Sequence, residues 1–151
     1  MKKDKITTKD TGRCYTFLVR LEHTKIGGKV GIGGDKTLAD LHLAIQELFD
    51  WDDDHLYSFF MDNKYWGKGE TYSTLGNEED FLPSPPEGKA HEKRLSSLAL
   101  KAGDKFKYIF DYGDEWRCQI KFVGIREGED QKYTIIEKHG TPPPQYPDND
   151  E

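Results

Sequence analysis

The stretch that most restricts the fold is KFKYIFDYGDEWRCQIKF, residues 105–122. Apolar and polar residues alternate on both sides of its centre, the period of a strand with one buried face. Phe106, Tyr108 and Phe110 share one face of the first half, and Trp116, Cys118, Ile120 and Phe122 share one face of the second. Opposed residues of an antiparallel pair point to the same side, so the loop length decides whether those sets meet. A two-residue loop, Tyr112-Gly113, sets Phe110 against Glu115 and splits the apolar faces. A three-residue loop, Tyr112 to Asp114, sets Phe110 against Trp116, Tyr108 against Cys118 and Phe106 against Ile120. Lys105, Lys107, Asp111, Glu115, Arg117, Gln119 and Lys121 then fall on the opposite face. The pattern predicts the second register. In it Asp111 bonds the backbone of the turn it opens, and Asp114 is the residue expected to be left-handed near the end of the loop.

The rest of the chain supplies one clear helix and several strands. RCYTFLVRLEH reads as a first strand, and IGGKVGIGG, with Val30 and Ile32 between glycines, as a weak second. In DKTLADLHLAIQELFDW, residues Leu38, Leu41, Ala44, Ile45, Leu48 and Phe49 form a stripe at helical spacing. Thr37 is its expected N-cap, and Asp40 adds negative charge near the amide-rich end. DWDDD ends it, because Asp competes for backbone hydrogen bonds. HLYSFFMD reads as a third strand, RLSSLAL as a short helix, and KYTIIEKHG as the last strand. Residues 62–94 mix aromatics, glycines, acids and PSPP without a period, so they are expected to be one long loop insertion. Residues 1–12 are expected to be a flexible tail, and 141–151 an extended acidic one.

With 151 residues, the chain has room for one ordinary domain. The expected fold is α+β: a mostly antiparallel mixed sheet with one main helix packed on a face, in a single domain spanning 13–140. The formal net charge of −6 argues against duplex nucleic acid as a partner. No apolar run is long enough to span a membrane, and MKKDKITTKD lacks a signal-peptide core, so a cytoplasmic protein is expected. Cys14 and Cys118 have no CxxC spacing and are expected to be free thiols.

Four separated stretches carry a family resemblance: TLADLHLAIQ, WDDDHLYSFF, YIFDYGDEW and IIEKHGTPPPQYPD. Together they resemble the plasmid pRiA4b Orf-three-like family, whose members occur on plasmids, transposons and chromosomes. The resemblance runs from about residue 13 to the C-terminus and implies an α+β domain, with no established activity. Two positions depart from the family pattern. Cys118 stands where a histidine is common, and KVGIGG where the strand before the helix is commonly bulkier.

Three constellations bear on function. His42, His55, Asp111, Asp114 and Cys118 are metal-ligand or acid–base types, but their spacing is scattered. The hairpin register sends Asp111 and Cys118 to opposite faces, leaving His42, His55 and Cys118 as the reduced set. GIGGDKT departs from a phosphate loop, because Asp35 stands where a carboxylate would repel phosphate. NKYWGKGETY places Lys64 and Lys68 around Tyr65 and Trp66, an arrangement more suited to anchoring a protein partner than to nucleic acid. The residues expected to bind are therefore His42, His55, Asp111, Tyr112, Asp114, Trp116, Tyr65 and Trp66, with no catalytic residue, metal or cofactor assigned. The expectation is a non-catalytic protein-interaction module, possessing an unassigned oligomeric state. The alternative is a small metal-binding protein or hydrolase using His42, His55 and the 111–118 hairpin.

Overall fold

A computed structural model describes residues 13–53, 55–67, 69–73, 88–127 and 132–143. The expected tail at 1–12 and most of the expected C-terminal tail lie outside the described residues. Eight strands form one mixed sheet: β1 (Arg13–Leu21), β2 (Gly27–Gly33), β3 (Tyr57–Phe60), β4 (Thr71–Ser73), β5 (Gly88–Lys89), β6 (Lys105–Phe110), β7 (Trp116–Glu127) and β8 (Thr134–His139). Their spatial order is β5-β4-β3-β6-β7-β1-β2-β8. Every pairing is antiparallel except that of β4 with β5. The α+β class expected from the sequence holds.

The hairpin of β6 and β7 adopts the three-residue-loop register. Phe110 faces Trp116, Tyr108 faces Cys118 and Phe106 faces Ile120. The physical reason is the one given by the pattern: only this pairing puts Phe106, Tyr108 and Phe110 on the same side as Trp116, Cys118, Ile120 and Phe122. Phe106, Tyr108, Phe110, Cys118 and Ile120 are accordingly fully buried.

The one α-helix among the described residues, α1 (Leu38–Phe49), covers that same side. Its start is a capping box: Thr37 Oγ1 accepts from Asp40 N–H at 3.3 Å, and Asp40 Oδ2 accepts from Thr37 N–H at 3.0 Å. Its end is Asp50, left-handed at φ 59°, whose N–H donates to the carbonyls of Gln46 and Glu47. Leu38, Leu41, Ala44, Ile45, Leu48 and Phe49 are all buried, in one core with Phe17, Val19, Val30 and Ile32. Each large apolar side chain buried this way contributes about 1.5–3 kcal/mol. Leu41→Ala would therefore cost about 2–5 kcal/mol.

The 62–94 stretch is not wholly a loop. β4 and β5 lie within it, and Ala90–Glu92 forms a 3₁₀ turn. Strands of three and two residues are too short to show a period, which is why the sequence pattern misses them. Residues 74–87 of that stretch lie outside the described residues. Leu95–Leu98, read as a short helix, is a second 3₁₀ turn.

On the side of the sheet away from α1, the two halves differ. Around β3 and β6 the loop after β3 folds back, and Tyr65 and Trp66 pack on Phe60 with ring centroids 5.9 and 5.1 Å away. The same loop reaches β7, where Gln119 Nε2 donates to Asn63 Oδ1 at 2.8 Å and Tyr65 Oη to the Cys118 carbonyl at 3.4 Å; beyond it the face of β1, β2 and the far part of β7 is hollowed. Leu18 is half-buried there, while Arg20, Lys121 and Val123 are exposed.

Candidate functional site

Asp111 does what its position in the turn requires. Its Oδ1 accepts from the N–H groups of Gly113 at 3.1 Å and Asp114 at 3.2 Å. The loop is closed by the Glu115 N–H donating to the Asp111 carbonyl. The left-handed residues are Asp111 (φ 70°) and Glu115 (φ 53°), not Asp114. Closing the turn between residues 111 and 115 places the strained conformations at its two ends, so the tip needs none. The outer carboxylate oxygen of Asp111 stands 3.5 Å from His55 Nε2. Asp114 is exposed at the tip.

His42 sits elsewhere, on the buried face of α1. Its ring stacks on Tyr57 at 3.6 Å with an interplanar angle of 7°. Nδ1 lies 2.8 Å from Tyr108 Oη, and Nε2 lies 2.7 Å from Asp53 Oδ1. Gln46, one helical turn later, donates from Nε2 to Tyr108 Oη at 3.0 Å. Facing a carboxylate, Nε2 carries the proton of the neutral ring, so Tyr108 donates its hydroxyl hydrogen to Nδ1. Burial holds the His42 pKa below the ordinary histidine value, against the opposing hydrogen bond and charge of Asp53. Burial raises the Tyr108 hydroxyl well above its ordinary value. The result is a Gln46–Tyr108–His42–Asp53 chain that fixes the helix to the hairpin.

Cys118 is fully buried across from Tyr108, and burial, with the charge of Glu22, keeps its thiol protonated. A thiol held this way is a poor nucleophile and a poor ligand. Among the described residues no three His, Cys, Asp or Glu side chains gather closely enough to hold a metal ion. His42, His55 and Cys118 are thus brought to different neighbours. Trp116 packs against Trp51 at 5.4 Å, and neither buried indole N–H has a partner among the described residues.

Tyr65, Trp66 and Tyr112 do come together, but to fasten the loop. Trp66 packs edge-on to Tyr112 at 5.2 Å and donates from Nε1 to Glu115 Oε2 at 3.2 Å. Tyr65 donates to Glu22 Oε2 at 2.7 Å. Lys107 Nζ and Arg117 Cζ stand 5.1 and 4.5 Å from its ring centroid. Tyr112 reaches Ser58 Oγ at 2.6 Å.

The open part of the sheet carries two adjoining hollows. The smaller, about 300 Å³, is lined by Leu18, Arg20, Lys25, Lys105, Gln119 and Lys121, with Gly27 and His139 at one side. The larger, about 630 Å³, shares Leu18, Lys121 and His139 and adds Lys29, Val123 and Glu137. Sequence reasoning put Lys105, Gln119 and Lys121 on one hairpin face but did not join them to Arg20 and Lys25. The joining signal is the β1–β7 register, which pairs Leu18 with Lys121 and Arg20 with Gln119.

No helix among the described residues is long and apolar enough to cross a membrane. A comparison with curated proteins gives no match. A solved structure, that of a protein of unknown function from Methanosarcina mazei Go1, is 23% identical, with a TM-score of 0.65 over 88% of this chain and 72% of that one. That likeness establishes a shared fold. The sequence profile described as "Plasmid pRiA4b ORF-3-like protein" matches residues 13–145, which include β1, α1, the hairpin and β8. The chain belongs to the plasmid pRiA4b ORF-3-like family.

Proposed function

We propose that this protein is a non-catalytic interaction module that engages a protein partner through the side of its sheet away from α1. The observation that carries the reading is a division of labour between the faces. On the helix side, His42, Tyr108 and Cys118 are buried and committed to internal contacts. On the other side, β1, β2 and β7 leave two hollows beside exposed Val123. Exposed apolar surface rimmed by charge is the common form of a binding patch. Action in the cytoplasm and attachment to plasmid or transposon biology are part of this proposal, the second supported by the family's name.

Affinity capture from a lysate of the source organism tests it, comparing wild type with Leu18→Glu/Val123→Glu and with His42→Gln. The expected result is a partner retained by His42→Gln and lost by the open-face variant. A partner lost only with His42→Gln would move function to the helix side and favour the metal-binding or hydrolytic alternative.

A further inference from the structure

We infer that the partner segment recognised by the open face is an acidic, extended stretch of polypeptide with an aliphatic residue at its centre. The inference rests on the binding-face reading above and names the chemistry of what binds.

Its first support is uncompensated charge. Lys105 and Lys121 are direct cross-strand partners, so two ammonium groups stand side by side on the sheet. Like charges opposed in this way destabilise a sheet. Three nearby cations are neutralised internally: Lys29 by Glu137 at 3.6 Å, Lys107 by Glu22 at 2.6 Å, and Arg117 by Glu115. Arg20, Lys25, Lys105 and Lys121 have no ion-pair partner among the described residues. All four line the smaller hollow, and among the described residues no carboxylate does. A chain with a formal charge of −6 thus gathers four unpaired cations around one depression. Neighbouring strands lie about 4.8 Å apart and Arg20 is two residues out of line with Lys105, so the two are separated by about 12 Å across β7. About four residues of extended chain cover that span.

The second support is what lies between the cations. Leu18 is the half-buried side chain common to both hollows, and Val123, 42% exposed, lines the larger. An aliphatic side chain seated there leaves acidic neighbours facing Lys121, Lys105 and Arg20. Single-stranded nucleic acid fits less well, since its bases need free aromatic faces. Among the described residues neither hollow is lined by Phe, Tyr or Trp; the one imidazole on both rims, His139, lies 3.0 Å from Glu137, and the nearby Tyr65 ring already holds Lys107 and Arg117. Glu137 on the rim of the larger hollow also opposes a long polyanion but can be avoided by a short segment.

Fluorescence anisotropy with a labelled octapeptide tests the inference, using glutamate and aspartate around a central leucine. Saturable binding is expected, weakened by salt, and reduced about tenfold or more by Lys105→Glu/Lys121→Glu. Lys89→Glu, at the far edge of the sheet, should bind as wild type does, and thermal melts should show both variants folded. The same peptide with glutamine and asparagine in place of the acids should not bind. No saturation, equal binding of the neutral peptide, or no response to Lys105→Glu/Lys121→Glu would overturn the inference. Tighter binding of a ten-nucleotide oligothymidylate, lost in the same double variant, would overturn it in favour of nucleic acid. If the octapeptide fails while capture from lysate still depends on Leu18 and Val123, the acidic chemistry falls and the binding face stands. If both fail, the face itself is wrong.

Discussion

His42 Nδ1 and Tyr108 Oη stand 2.8 Å apart, joining the helix to the central hairpin across sixty-six residues of chain. Tyr108→Phe keeps the ring and removes the hydroxyl, leaving His42 and Gln46 without their shared buried partner. The expected loss is about 1–3 kcal/mol in denaturant unfolding, at an unchanged dependence on denaturant. A loss under about 0.5 kcal/mol would show that the network contributes little.

The same histidine sets a pH dependence. Its pKa lies below the ordinary value of 6.5 in the folded chain, because burial disfavours the charged ring more than Asp53 supports it. As pH falls, the unfolded chain therefore takes up the proton first. The stability contributed by neutral His42 is complete above pH 6.5 and is lost as pH falls below that value toward the folded-state pKa. Melting temperatures measured across this range should decline toward acid in wild type and decline less in His42→Gln. Parallel curves would contradict the assignment.

Asp111 and Asp114 should respond differently to substitution. Asp111→Ala loses an acceptor for two turn amides and puts at φ 70° a residue less tolerant of the left-handed region than Asp, for a cost of about 1–2 kcal/mol. Asp111→Asn keeps the carbonyl and tolerates the left-handed backbone, so it should recover most of that loss. Asp114 has no left-handed strain to relieve, and Asp114→Ala should change stability by less than about 0.5 kcal/mol. Thermal melts read all three. A stabilised Asp111→Ala protein would favour the catalytic alternative, since active-site carboxylates are commonly held at a cost in stability.

Cys14 and Cys118 are both buried and unpaired. A thiol reagent should count two cysteines in unfolded, unreduced protein and react slowly with the native one. A count of zero in a monomer would overturn this.

Gly28 should tolerate no side chain. A β-carbon there would lie 2.2 Å from the Glu137 carbonyl oxygen and 2.6 Å from Leu48 Cδ1. Gly28→Ala is expected to cost about 3 kcal/mol or more, or to leave no folded protein. Gly113→Ala, whose nearest neighbour would be Asp111 Oδ1 at 3.5 Å, should fold normally. Circular dichroism and melts distinguish the two.

Local pattern carried the hairpin, α1 and its Thr37 cap into view, because each depends on residues close in sequence. The α1 stripe and the alternation around Tyr112 are periods, and periods survive without knowledge of the fold. β4 and β5 have too few residues to show one. His42 was visible as a histidine near the helix stripe, yet its partner Tyr108 is fixed only by tertiary packing. The basic hollow was half visible as the polar face of the hairpin. Arg20 and Lys25 join it through the pairing of β1 with β7, and the negative total charge masked the local excess. Tyr65 and Trp66 were expected to anchor a partner, but the structure shows them pinning their own loop, a bond between loop and sheet that composition does not encode.

The glycines of β2 have a consequence for how this family member can change. At the hollow's edge Gly27 contributes main chain alone, and the β-carbon of any other residue would lie 1.9 Å from the Val19 carbonyl oxygen. Part of the relief of the open face is therefore carved in backbone, where substitution alters folding before it alters recognition. A new specificity at this face is therefore open to exchange of side chains on β1, β6 and β7, and closed at Gly27 and Gly28.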